Sequence, residues 1–222
     1  GINLGIGEEG LITYMRTDST ALSNESLVEI KNYINKSYGD NYYESRKYKA
    51  KSANAQEAHE AIRPTSINRT PDSIKSFLDD DQFKLYDLIW KRTVASQMSE
   101  SVNKKTTIIT SSENEKYKFK SDYDELTFDG FKKLFPEKES EKMPSILEDE
   151  IVELDKVNKE QKFTQHPPRY SEASLIKTLE DLGIGRPSTY ASILNTIKDK
   201  KYVWVINRSI YLSPIGKVLV EE

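Results

Sequence analysis

The chain has 222 residues, of which 36% are hydrophobic and 31% charged, and its formal net charge is −3. That length suits one to three domains with at least one sizeable core. There is no cysteine, which excludes disulfides and thiolate metal sites, and the only histidines are His59 and His166. No apolar run approaches the ~20 residues of a membrane span, and no signal peptide is visible. Nucleic-acid binders are usually basic, so the acidic total argues mildly against one. The charge is uneven, however. Residues 41–70 carry six Lys/Arg against three Asp/Glu, residues 166–222 eight against six, and residues 111–165 ten against fifteen. A local basic footprint is compatible with that distribution, with the acidic middle as solvated surface.

In chain order, Leu11-Ile12-Thr13-Tyr14 favours a short strand running into a turn at Thr17-Asp18-Ser19. Residues 18–39 read as a helix, with Leu22, Leu27, Ile30, Tyr33 and Ile34 at helical spacing and Gly39 as its stop. The segment from Tyr42 to Lys51 is basic and aromatic. It suits either a surface loop or an arm that stacks bases and binds phosphates. Residues 53–63 suit a short helix ended by Pro64, with His59 and Arg63 four apart on one face. Residues 79–101 read as a longer helix with Phe83, Tyr86, Leu88, Ile89, Trp90, Val94 and Met98 as a core stripe.

From Lys105 the pattern changes. Thr106–Thr110 and Tyr117–Lys120 read as paired strands, Leu126–Phe131 follows, and residues 150–157 suggest another strand. After Pro167-Pro168, a helix from Ser171 to about Leu182, a glycine turn, a helix from Pro187 to about Lys200 and a hairpin over Tyr202–Leu212 form a winged-helix-like unit. The fold class expected is multidomain and mainly α with a β-rich middle. Its parts are a helical domain (1–98), a β-strand arch or scaffold (99–165) and a winged-helix-like domain (166–222).

The chemistry concentrates near the N-terminus. On a strand, Tyr14 and Arg16 share a face. A phenol ionises near pH ~10, and a guanidinium favours the phenolate while gripping a phosphate through two hydrogen bonds. That pair suits attack by tyrosine on a phosphodiester, but from spacing alone a half-buried aromatic beside a surface cation is the commoner arrangement. In the C-terminal part, Arg186, Ser188 and Thr189 sit where a helix start would expose unpaired N–H groups. That suits a phosphate, or simply a capped helix.

The segment Gly10-Leu-Ile-Thr-Tyr-Met-Arg-Thr-Asp-Ser19 resembles the active-site segment of type IA DNA topoisomerases. Two further segments resemble the same family in the same order: Ala55–Pro64 (AQEAHEAIRP), and Pro167–Ile176 (PPRYSEASLI) continuing to Gly183–Ile193 (GIGRPSTYASI). Residues 65–160 carry no matching motif. The resemblance implies that Tyr14 becomes joined to the 5′ phosphate of a cut single strand and that Arg16 contacts the scissile phosphate. It implies DNA contacts from His59, Arg63, Arg186, Ser188 and Thr189, with Arg63 alternatively fastening its own segment. The implied reaction cuts one strand, passes another and religates without ATP, relaxing negatively supercoiled DNA.

The family's acidic Asp-x-Asp-x-Glu cluster does not occur, nor does a Cys₄ zinc module. The resemblance therefore implies Mg²⁺ in the full enzyme, held by a separate N-terminal Toprim domain of the same protein, and no metal within this chain. The chain opens at Gly1 without an initiator methionine and closes inside a helical pattern, so an internal piece of a larger protein is expected, with little activity by itself. The expected partner is single-stranded DNA, and the expected protein is a cytoplasmic, nucleoid-associated bacterial monomer without a membrane contact. Two other readings stay open: a non-catalytic winged-helix DNA-binding module on a scaffold, and a tyrosine recombinase or replication-initiator nuclease.

Overall fold

The computed structural model describes residues 2–3, 8–17, 19–48, 59–138 and 141–221. It divides into two compact units, Gly1–Glu150 and Ile151–Glu222. Among the described residues, no helix is long and apolar enough to cross a membrane. The chain mixes helix and sheet.

The first unit opens with a minimal strand pair, β1 (Ile2–Asn3) and β2 (Glu8–Glu9). The first helix, α1 (Asn24–Ser37), starts at Ser23, whose hydroxyl accepts from the Ser26 N–H. It begins later than the sequence pattern suggests. Just upstream, the Thr17 and Ser19 hydroxyls accept from the Ser19 and Ala21 N–H groups. Such local side-chain bonds compete with helical ones. Asp18 lies outside the described residues. Ser26, Ile30 and Ile34 recur every four residues and form the buried face of α1.

A short helix, α2 (Pro71–Ile74), leads to α3 (Asp80–Ala95), which starts with a reciprocal capping box between Asp79 and Gln82. Its buried face carries Tyr86, Trp90, Thr93 and Val94, whereas Leu88 is exposed. Together with Leu11, Ile30, Ile34, Ile67, Ile74, Met98 and Leu134 these apolar residues make the core. Each large side chain there contributes about 1.5–3 kcal/mol. The polar atoms of the two large aromatic residues in the core are satisfied: Trp90 Nε1 donates to Ile67 O at 2.9 Å and the Tyr86 hydroxyl to Arg69 O at 2.7 Å. The helix stops at Ala95 rather than near Ser101, because the chain then turns to pair with residues 43–46. Gln97 clamps Arg46, accepting from its N–H at 3.1 Å and donating to its carbonyl at 3.0 Å, and Tyr43 bridges Met98.

The middle of the chain forms one long antiparallel hairpin, β3 (Val102–Ser111) with β4 (Lys118–Phe128). It is longer than the paired strands read from sequence, and Leu126–Phe128 belongs to it. Its base is locked to the helical part: the Tyr42 hydroxyl donates to Asp129 Oδ1 at 2.6 Å, and Phe131 N–H donates to Ser99 O at 2.9 Å. No strand forms over residues 150–157. Ile151 and Leu154 are exposed there, with no neighbouring strand to bury them.

In the second unit, α4 (Glu172–Asp181) begins with a capping box between Ser171 and Ser174. Gly183 and Gly185 take φ of 72° and 79°, and α5 (Tyr190–Asp199) follows. That helix starts at Tyr190 rather than Pro187, because the Thr189 hydroxyl closes a turn over Pro187–Thr189 by accepting from Arg186 N–H at 2.9 Å. Strands β5 (Val203–Ile206) and β6 (Ser209–Leu212) pair across Asn207-Arg208, both at positive φ, the two-residue turn that matches strand twist. Helix α6 (Pro214–Glu221) closes the unit.

Candidate active site and nucleic-acid interface

Residues 10–13 run antiparallel beside residues 61–65. Ile12 bridges Pro64, Thr13 N–H donates to Arg63 O at 2.9 Å, and Thr65 N–H donates to Leu11 O at 3.0 Å. The Thr13 side chain sews the two segments tighter. Its Oγ1 donates to Ala61 O at 2.7 Å and accepts from Arg63 N–H at 3.0 Å. Leu11 anchors one end of this stitch in the core. Past Thr13 the chain bends away, and Tyr14 emerges with 54% of its surface exposed.

The tyrosine ring is not isolated. His59, at the start of the described part of the facing segment, lies with its ring centroid 5.5 Å from that of Tyr14, tilted by 34°. Sequence spacing alone does not bring these two rings together; the backbone pairing of 10–13 with 61–65 does. Arg16 is exposed two residues further on, in a bent stretch rather than on a strand. Strand alternation therefore does not supply the shared face expected for Tyr14 and Arg16.

The helix expected over residues 53–63 is corrected for its described part, since residues 59–63 are not helical and the chain bends at Ile62. Pro64 disfavours helical angles at Arg63, and the pairing with Thr13 takes up the backbone bonds a helix would use. Arg63 and His59 thus share no helix face. The Arg63 guanidinium donates to Glu60 Oε2 at 2.6 Å and to Pro64 O at 2.9 Å, and the side chain is only 14% exposed. It fastens its own segment. Residues 49–58 lie outside the described residues.

The described part of the basic-aromatic stretch is likewise tied down. Arg46 pairs with Glu44 at 2.5 Å, the Tyr48 hydroxyl donates to Ser96 O at 3.0 Å, and Lys31 lies over the Tyr43 ring at 5.5 Å. These groups hold the segment against α1 and the end of α3.

In the second unit, Arg186, Ser188 and Thr189 are exposed in the turn before α5. Arg186 Nη1 donates to Gly185 O at 2.7 Å, so the guanidinium curls over the glycine turn. Thr189 makes no side-chain cap to the helix, since its hydroxyl bonds the Arg186 backbone instead. Two residues important to the first site escaped sequence reading. Thr13 carries no signal beyond its place in a strand-like run. For Glu60 the one available signal is its place three residues before Arg63.

Among the described residues, no three His, Cys, Asp or Glu side chains converge where they could hold a metal ion. Those described residues therefore do not fit a magnesium site.

Residues 7–222 match the sequence model of a family described as DNA topoisomerase. The chain is 47% identical to DNA topoisomerase 1 of Rickettsia conorii, over 99% of this chain and 29% of that protein. It is 44% identical to the DNA topoisomerase 1 of Xylella fastidiosa strain Temecula1, over 99% of this chain and 28% of the relative. The chain thus spans under a third of the length of these curated relatives. Full-length topoisomerase I from Thermotoga maritima has a similar structure, with a TM-score of 0.85 at 37% identity, covering 100% of this chain and 36% of that one. A match over nearly the whole chain, repeated among relatives and in a solved structure, shows that the chain belongs to the bacterial type IA DNA topoisomerase family.

Proposed function

We propose that this chain supplies the nucleophile and part of the strand-binding surface of an enzyme that cuts and religates one DNA strand. The observation that carries the reading is the exposed Tyr14, presented by the Thr13 stitch against the His59 ring. In the forward step, the Tyr14 phenol oxygen bonds to the scissile phosphorus while the bond from phosphorus to the neighbouring 3′ oxygen breaks. The phenol gives up its proton and the departing 3′ oxygen gains one. The strand's 5′ phosphate is left esterified to Tyr14. Religation is the reverse. One phosphodiester is exchanged for another, so no ATP is consumed, and strand passage through the gap relaxes negative supercoils.

In this reading Arg16 holds the scissile phosphate through its planar fork, and His59 contacts a neighbouring phosphate while packing against the nucleophile. Arg63 braces the wall behind them. Arg186, Ser188 and Thr189 bind the single strand in the second unit. Residues 1–98 act as the domain that carries the tyrosine, 99–165 as an arch and 166–222 as the strand-gripping base. Magnesium and the proton donor to the leaving oxygen belong to a Toprim domain of the same protein, which acts as a cytoplasmic, nucleoid-associated monomer. The non-catalytic winged-helix module is not favoured by the relatives from Rickettsia and Xylella, which carry the name DNA topoisomerase 1.

The test is Tyr14→Phe in the complete protein, assayed for relaxation of negatively supercoiled plasmid. The change removes one hydroxyl from an exposed ring and should leave folding intact. Relaxation should be abolished; a variant that still relaxes plasmid would refute the assignment.

A further inference from the structure

The hairpin of the second unit carries an arrangement that the chemistry at Tyr14 does not use. Trp204 and Tyr211 are direct partners in the β5–β6 register, so their side chains leave the same face. Arg169 lays its guanidinium over the Tyr211 ring, 4.4 Å from the centroid. The segment bearing Arg169 is fixed along the edge of β6, where Ile210 N–H donates to Tyr170 O at 2.7 Å. An open hollow beside that edge is lined by His166, Pro167, Pro168, Arg169, Tyr170 and Ile210. Tyr170 and Trp204 are each half-exposed. Exposed Lys200, Lys201 and Arg208 flank the two strands in sequence, with Arg208 in the hairpin turn.

An apolar face meant only for burial against protein has no need of this many cations. A single-stranded nucleic acid needs both features, since flat side chains stack on bases while cations meet phosphates. An arginine already lying flat on a tyrosine is a planar, weakly hydrated cation suited to stack on a base in turn. We propose that Arg169, Tyr211 and Trp204 form a stacking platform for the bases of a single strand, with Lys200, Lys201 and Arg208 receiving its phosphates. This rests on the reading of the second unit as strand-binding and adds to it a base-stacking surface separate from the turn at Arg186–Thr189.

The experiment measures binding of the complete protein to a labelled oligothymidylate and to an abasic strand of equal length, with tryptophan emission recorded throughout. The Trp204 signal is the difference in quenching between the parent and Trp204→Phe, which cancels Trp90 and any other tryptophan of the complete protein. Oligothymidylate should quench Trp204. Trp204→Ala should weaken its binding about 5-fold or more, the lower end of one base stack. Abasic binding should stay within about twofold. Trp204→Phe, which keeps a ring, should retain most of the affinity, and Arg169→Ala should weaken oligothymidylate binding more than abasic binding.

The platform is overturned if there is no quenching, if both alanine variants bind oligothymidylate as the parent does, or if both strands lose affinity equally. In parallel, covalent attachment of DNA to Tyr14 is scored. Attachment with unchanged affinity in both alanine variants sinks the platform and leaves the strand-cutting reading intact. Base-dependent binding without attachment supports the platform and sinks the cutting reading.

Discussion

Tyr14 owes its presentation to Thr13. One hydroxyl that both donates to Ala61 and accepts from Arg63 fixes the strand end from which the phenol projects. The phosphate-holding role assigned to Arg16 depends on its planar fork, and an ammonium keeps the charge without that geometry. Arg16→Lys should therefore slow cleavage at least ~10-fold, about 1.4 kcal/mol of transition-state stabilisation. Single-turnover cleavage rates unchanged from the parent would make Arg16 a bystander.

A second residue-scale expectation concerns alkaline stability. Burial pushes the Tyr86 phenol up to about 12. The folded state thus holds this proton more tightly than the unfolded chain, whose tyrosines ionise near ~10. The resulting stabilisation is complete below pH ~10 and falls away as pH rises toward the folded value. Tyr86→Phe should lower stability at neutral pH by about 1 kcal/mol, because the bond to Arg69 O is lost. It should also flatten the decline between pH ~10 and ~12. Urea melts across that range check both effects; an unaltered alkaline slope would contradict this role for Tyr86. The aromatic residue at this position was legible from helical spacing, whereas the pairing of Tyr14 with His59 was not. That contact depends on antiparallel pairing across some fifty intervening residues, and local pattern carries no record of such pairing.

At the level of elements, the joint between the helical part and the β3–β4 hairpin is tightly specified. Gly130 sits at φ 49°, and a Cβ there would lie 2.4 Å from Glu100 O and 2.5 Å from Ser99 O. Both the backbone angle and the space demand glycine. Gly130→Ala should destabilise the protein by about 2 kcal/mol or more, read as a lower urea midpoint. A loss below about 0.5 kcal/mol would show that the joint yields easily. Beside it, the hydrogen bond from Tyr42 holds the Asp129 carboxyl below the usual carboxylate range. Helices α1 and α3 and the β5–β6 hairpin were readable from their apolar pattern, although the start of α1 and the end of α3 were not. The misread elements failed for physical reasons. The 59–63 segment pairs across the chain, and residues 150–157 have strand composition but no strand to pair with.

Across the whole molecule, three motifs far apart in sequence carried the family resemblance, and the match over residues 7–222 bears it out. Motif wording, not composition, made this legible: a net charge of −3 pointed mildly the other way. Cations are spread unevenly, and in the first unit ion pairs hold several of them, as in Arg46 with Glu44 and Arg63 with Glu60. Net charge is consequently a poor guide to whether this chain meets DNA.

The central claim is that Tyr14, among the chain's 13 tyrosines, becomes joined to DNA. The most direct measurement traps the complete protein on single-stranded DNA with denaturant, digests protein and DNA, and maps the nucleotide-bearing peptide by mass spectrometry. The nucleotide should sit on Tyr14 through a 5′ phosphate. A nucleotide on any other tyrosine, or a 3′-phosphate linkage, would contradict the account.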